Sequence, residues 1–213
     1  MINPETIYLC IYIFDKFLEK GKDLVNLKNI QLVATTSLLI ASKIEEIYPP
    51  ELRCFVYRCN KLFDKHEFVK MESLILSTLN YETIYVSPYK FLLRLHTASM
   101  LSDETFYIAQ YFLELSLLDG KMSSKKSSTK AASSYYLALK ISNSLEGYPG
   151  WIADMEDICK INKMQVKAAS KDMCNIYEEI GSRNNLKSAY EKFAMDKYLR
   201  ASCKVKEFCE KKE

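Results

Sequence analysis

Long stretches of this chain contain nothing that would stop a helix. Five glycines and five prolines are spread over 213 residues, under half of the roughly 12% that average usage would supply. A sheet-rich fold needs a turn about every 8–12 residues, usually with Gly, Pro, Asn or Asp at its tip. The scarcity of breakers therefore argues against a sandwich or barrel and for an all-α fold. The glycines at 21, 120, 147, 150 and 181 never cluster, and neither GxGxxG nor GxxxxGK[ST] occurs, so no glycine loop is available to cradle a nucleotide phosphate.

The breakers that do occur mark helix ends. Asn3-Pro4 reads as an N-cap followed by proline at the first helical position, and Ile7, Cys10, Ile11, Phe14, Phe17 and Leu18 keep helical spacing until Gly21. The next segment, 30–47, carries LVATTSLLIAS with apolar or small residues on every side. A helix apolar all round is a buried one, and Tyr48-Pro49-Pro50 stops it. A short helix follows over 51–58. Asp64 and Glu67 form a D-x-x-E capping box that opens a helix to about residue 79. Further helices are expected over 87–99, 102–118 and 129–144. After the Tyr48-like break at Tyr148-Pro149-Gly150, three more are expected near 152–159, 163–180 and 187–208. No segment reads as a strand.

Composition narrows the function classes. The apolar fraction of 48% excludes disorder, and the net charge of +3 does not by itself imply nucleic acid. No run of about 18 apolar residues occurs, so no membrane helix is expected. The N-terminus lacks a basic n-region and a small-residue cleavage site, unlike a signal peptide. Seven cysteines at scattered spacing, with only His66 and His96 beside them, read as reduced thiols of an intracellular protein rather than as a zinc site. No metal or cofactor is expected. Two lone histidines give no nucleophile–base constellation, so the chain is not read as an enzyme. His96 reads as a core or rim histidine.

An internal echo points to two similar helical subdomains. VATTSLLIASK (33–43) and KAASSYYLALK (130–140) align without gaps at an offset of 97, with Ala34/Ala131, Ser37/Ser134, Ala41/Ala138 and Lys43/Lys140 identical. The join falls near 83–87, dividing the chain into 1–84 and 85–213.

Two charges stand where apolar residues should. On a helical wheel Leu32, Leu39, Ile40 and Ile47 lie within about 60° of Lys43, and Phe68, Val69, Ile75, Leu76 and Leu79 lie within about 60° of Glu72. An unpaired buried charge costs several kcal/mol. Lys43 and Glu72 must pair with each other or face a partner's backbone. One reading is an internal ion pair, or a lysine snorkelling off a helix end; the other is a docking surface. At the same offset of 97 the second half retains Lys140 but has Ala169 where the first has Glu72.

The stretch LVATTSLLIASKIEEIYPPELRCFVY (32–57), followed by KMESLILSTLNYE (70–82), closely resembles the cyclin box, whose pattern is roughly LVATAxMLLASKxEEIYPP and then RMExxILxxLxF. ELSLLDG (114–120) and LALKIS (137–142) resemble the second cyclin fold. The resemblance covers nearly the whole chain and is nearest to the mitotic A/B type. It implies two tandem five-helix cyclin folds and a regulatory, activating subunit of a cyclin-dependent serine/threonine kinase. The expected partner is that catalytic subunit in a heterodimer, with substrates and inhibitors reached through the complex. By the same resemblance, Lys43 and Glu72 hydrogen-bond the kinase near its PSTAIRE helix. Ile40, Ile44, Leu76 and Tyr81 match apolar residues that pack against that helix and the activation segment. The implied location is nucleus and/or cytoplasm. No nucleic acid or membrane partner is expected.

The departures from the family pattern matter too. The chain starts at what would be the second helix of the first fold, so an N-terminally incomplete first fold is expected. The helix carrying the substrate-docking patch is not represented. Ile30 and Gln31 match the part of that patch contributed by the next helix, and half a groove is expected to bind RxL-type motifs poorly. The 30–47 helix is then expected to leave one flank uncovered. The polar stretch KMSSKKSSTK (121–130) carries four lysines with no acid nearby and suits phosphate or acidic partners, or is a solvated loop. RNNL (183–186) fits RxxL by chance. The basic stretch from Lys187, interleaved with acids, reads as one solvated helix. The alternative to a kinase subunit is a nucleic-acid or transcription-factor module of the wider cyclin-like fold; the weak net charge and the lack of CxxC speak against it.

Overall fold

The structure, a computed structural model, describes residues 2–146, 154–182 and 187–211. Among these residues it is all-α, with twelve helices, three short 3-10 turns and no strand. The chain divides into two compact units, Met1–Ser87 and Pro88–Glu213.

In the first unit, α1 (Pro4–Lys20) opens as its sequence dictates. The Asn3 side chain accepts from the Glu5 amide at 3.1 Å, and Gly21 closes the helix by donating to the Phe17 carbonyl at 2.8 Å. Leu9, Ile13 and Phe17 point inward. They meet α2 (Ile30–Glu45), which buries Leu32, Val33, Leu39, Ile40 and Ala41. Helix α2 ends two residues before the expected 47, because Glu46 adopts extended backbone and is held by α1. Its carboxylate accepts from the Asn3 amide at 2.7 Å and from Thr6 Oγ1 at 2.6 Å. Next come α3 (Leu52–Arg58) and α4 (Lys65–Thr78). The capping box of α4 is fully formed: Asp64 accepts from the Glu67 amide at 2.9 Å and Glu67 from the Asp64 amide at 2.7 Å. Phe55, Phe68, Met71, Ile75 and Leu79 complete the core around α2.

Helices α3 and α4 end alike. After α3, the Asn60 amide donates to the Tyr57 carbonyl and the Lys61 amide to the Val56 carbonyl, both at 3.0 Å. After α4, Asn80 donates to Ser77 at 3.0 Å and Tyr81 to Leu76 at 2.8 Å. These are Schellman caps. Asparagine takes the left-handed position that glycine usually fills, and Lys61 (φ 57°) and Tyr81 (φ 59°) follow it into the same region.

The second unit centres on α8 (Ser127–Glu146), buried at every position from 131 to 139. Around it lie α5 (Pro88–Ser99), α6 (Asp103–Leu115), α9 (Asp154–Cys159) and α10 (Lys163–Ser182). A 3-10 turn at Ser116–Leu118 replaces the last turn of the helix expected over 102–118, and a single helical turn, α7 (Gly120–Ser123), follows. Two corrections concern charge. Lys125 bonds Asp172 at 3.0 Å, and Lys130 is buried at the head of α8, so the polar stretch is not four free lysines. The region 187–208 is not one helix either. It folds as α11 (Ser188–Phe193), a 3-10 turn (Asp196–Tyr198) and α12 (Ala201–Glu210). Leu199 and Arg200 are left-handed between the last two. The breaks at 148–150 and the RNNL sequence at 183–186 lie outside the described residues. All seven cysteines are free thiols.

Candidate docking surface

Helices α2 and α4 pack together, and this brings Lys43 and Glu72 within reach from 29 positions apart. Lys43 Nζ donates to both carboxylate oxygens of Glu72, at 2.6 and 2.8 Å. The pair is not interior: the Lys43 side chain is 49% exposed and that of Glu72 19%. The wheel reading therefore needs correction for Lys43. It lies in the last turn of α2, where the helix dipole favours a cation, at the rim of the apolar stripe. Glu72 lies on a seam of α4, with Phe68, Ile75 and Leu79 in the core on one side and exposed Val69 with half-buried Leu76 on the other.

A half-exposed pair of this kind contributes about 0–1 kcal/mol to folding. Its value to a partner is different. An ammonium has three N–H donors, and two of them are spent on Glu72. The third is left to an incoming acceptor, and the pairing fixes where it points.

The other sequence-derived residues are placed unequally. Ile44 is exposed and Leu76 half-buried. Tyr81 is 69% exposed, held outside by the left-handed cap that ends α4. Ile40 is 2% exposed and belongs to the core cluster, so it lies behind this surface rather than on it. Ile30 and Gln31 are exposed at the opposite end of α2. Thirteen residues at 1.5 Å each put them roughly 20 Å from Lys43, so they belong to a different patch. Ile47, Tyr48 and Ile84 are strongly exposed next to the ends of α2 and α4; the sequence reading placed Ile47 on the stripe around Lys43 and Tyr48 in the helix break, and assigned none of the three to a docking role. The signal available was an apolar run, Ile47-Tyr48-Pro49-Pro50, beyond the last turn of a helix already full of inward-facing residues.

Among the described residues no group of three His, Cys, Asp or Glu side chains stands together as metal ligands. No described helix is long and apolar enough to cross a membrane. Burial raises the pKa of Cys10 to about 12 and of Cys159 to about 11, which leaves both as inert thiols. His96 is shielded in α5, with Nε2 3.4 Å from Asp103 and its ring 4.8 Å from that of Phe106.

Both units are built of layered helices, and the first carries an ion pair and exposed apolar side chains on its rim. The cyclin N-terminal domain model matches residues 1–84 and the cyclin C-terminal domain model residues 86–207; the chain belongs to the cyclin family. It is 32% identical to a G2/mitotic-specific cyclin-B of Hydra vulgaris over 93% of this chain and 53% of that one. It is 29% identical to the G2/mitotic-specific cyclin cdc13 of Schizosaccharomyces pombe over 98% of this chain and 41% of that one. The chain thus spans about half the length, or less, of these relatives. A viral cyclin from herpesvirus saimiri shares the fold, with a TM-score of 0.71 at 19% identity over 84% of this chain and 77% of that one.

Proposed function

We propose that this protein is the regulatory subunit of a cyclin-dependent serine/threonine kinase, acting in the division cycle as its G2/mitotic-named relatives suggest. It activates the kinase by docking through the Lys43–Glu72 surface and is not itself an enzyme. The observation that supports this is the pair itself: a bidentate ion pair worth little to the fold, held on a rim beside apolar side chains that the fold leaves outside.

The mechanism follows from the division of labour at interfaces. Ile44, Tyr81 and the open edge of Leu76 supply apolar area, and Ile47, Tyr48 and Ile84 extend it. Such residues give the burial term, while a charged group that can donate to a backbone carbonyl fixes register. Ile40 supports the surface from beneath. A kinase whose catalytic-glutamate helix is swung out gains these contacts only when that helix swings in. The cyclin thereby shifts the kinase population toward the state with its lysine–glutamate pair assembled.

The test exchanges the charges, Lys43→Glu with Glu72→Lys. The exchanged pair keeps its mutual attraction, so the unit stays folded, but the donor offered to the partner moves and a carboxylate faces the partner's carbonyl. Activation of a purified cyclin-dependent kinase is expected to fall at least tenfold, with thermal unfolding unchanged. Full activation by the folded double variant would refute the docking assignment.

A further inference from the structure

A second surface of the first unit carries charge that neither the fold nor the docking pair uses. It is a solvent-open groove of about 730 Å³ between α3 and the start of α4, walled by Arg53, Val56, Tyr57, Arg58, Lys61 and Lys65. The sequence from 53 to 65 holds four cations and one acid. That acid, Asp64, also borders the groove, but its carboxylate is committed to the Glu67 amide at the N-cap of α4. Arg53 is neutralised by Glu51, at 2.6 Å through Nε and 2.9 Å through the terminal nitrogen. Among the described residues no carboxylate is ion-paired with Arg58, Lys61 or Lys65, so three unpaired cations share one concavity with the Asp64 carboxylate.

Their placement is not left to flexible chain. Helix α3 is two turns long and sends Phe55 and Cys59 into the core. Tyr57 and Arg58 therefore face out, Tyr57 at 72% exposure. The Schellman cap then fixes Lys61 in left-handed backbone, bonded to the Val56 carbonyl. Lys65 begins α4 on the far wall. Three unpaired cations beside the one Asp64 carboxylate leave the groove with a net positive charge, and a multiply charged anion relieves the repulsion among them. A phosphate monoester carries nearly two charges and three acceptor oxygens. It matches a guanidinium fork flanked by ammonium groups better than a single carboxylate does. The Tyr57 ring and Val56 provide an apolar wall for the atoms on either side of the phosphate. Charge elsewhere in the chain is mixed, with a net of only +3. A nucleic-acid site would need a broader basic face.

We propose that this groove binds a peptide segment bearing a phosphoserine or phosphothreonine, at Arg58, Lys61 and Lys65 with Tyr57 beneath the chain. The proposal stands apart from the kinase reading, and its test needs no kinase.

The test is fluorescence anisotropy of the whole purified chain with three labelled probes. One is a peptide pool with a fixed central phosphoserine, one its serine counterpart, and one a 20-nucleotide single-stranded DNA. The phosphoserine pool is expected to bind at least tenfold more tightly than the serine pool. Arg58→Glu with Lys61→Glu should remove that preference, whereas Lys121→Glu with Lys126→Glu, outside the groove, should leave it intact. Should the reversal variant fail to fold, Arg58→Gln with Lys61→Gln should still weaken phosphopeptide binding at least fivefold. Equal binding of the two peptide pools would overturn the proposal, as would binding indifferent to the groove substitutions. Tighter binding of DNA that is lost with the same substitutions would also overturn it, and would assign the groove to nucleic acid.

Discussion

The two units repeat one layout and cover it differently. Helices α1, α2, α3 and α4 of the first correspond in order and packing to α6, α8, α9 and α10 of the second. The central helices begin at Ile30 and Ser127, 97 positions apart, the offset of the sequence echo. Two of the four shared residues do the same work in both. Ala41 and Ala138 are buried and let neighbouring helices approach. Ser37 and Ser134 are buried with their hydroxyls donating back into their own helix, to Val33 and Ala131, each at 2.9 Å. The second unit adds α5, which packs on α8 and leaves Ala131, Ala132 and Tyr135 fully buried. In the first unit α2 is packed by α1, α3 and α4, and the matching Ala34, Thr35 and Leu38 are only partly covered. The ion pair differs as well. Lys140, the counterpart of Lys43, lies over the Tyr136 ring at 4.9 Å, and Ala169, the counterpart of Glu72, is buried. The layout therefore forms without a lysine–glutamate pair at this place, which supports the docking role proposed for the pair in the first unit.

The second unit has its own ion pair, and breaking it should give the largest effect. Glu114 of α6 is nearly buried, accepts from Lys192 of α11 at 2.5 Å, and has Gln110 at 3.4 Å. Lys192→Met strands that carboxylate, and a buried pair broken on one side costs about 3 kcal/mol. Urea unfolding should show the loss, hydrogen exchange should place it in α6 and α11, and Glu114→Leu combined with Lys192→Met should recover most of it. The pH dependence is the next effect. Burial raises the Glu114 pKa, and Lys192 opposes this only in part. The native state then holds a proton that the unfolded state has already released. Stability should therefore fall as pH rises from the ordinary carboxylate range through the raised value, and level off above it. Glu114→Gln should flatten this slope and Lys192→Met should steepen it, both read from urea midpoints across pH 4–8.

Helix starts were legible because capping is local. Asn3-Pro4, the Asp64/Glu67 box and Ser102 each satisfy amides within three residues of themselves. The ends of α3 and α4 fall within one residue of the expected 58 and 79, although Asn60 and Asn80 take the position that glycine usually fills. The break inside 187–208 has no local mark at all. It follows from tertiary packing, with Phe193 and Tyr198 buried 4.8 Å apart and Tyr107 edge-on to Tyr198 at 5.5 Å. At the docking surface, Lys43 and Glu72 stood out because charges interrupt an apolar wheel. The wheel could not tell buried Ile40 from exposed Ile44, since that depends on which side α4 covers. Nor could it find Glu114–Lys192, whose members are 78 residues apart, on elements whose mutual packing no periodicity encodes.

The smallest expected effect is the most telling for the comparison. Lys43→Met and Lys140→Met remove counterpart lysines of the two central helices. The first loses a half-exposed ion pair, and the second a cation over a tyrosine ring. Each should cost no more than about 1 kcal/mol, so the two variants should unfold within a few degrees of the parent protein. In kinase activation they should separate. Lys43→Met removes the donor offered to the partner and should reduce activation several-fold, while Lys140→Met should leave it unchanged. Equal loss in both would mean that the repeated lysine serves the shared layout. A large loss of stability in Lys43→Met alone would mean that the pair holds α2 to α4, and would return it to a structural role.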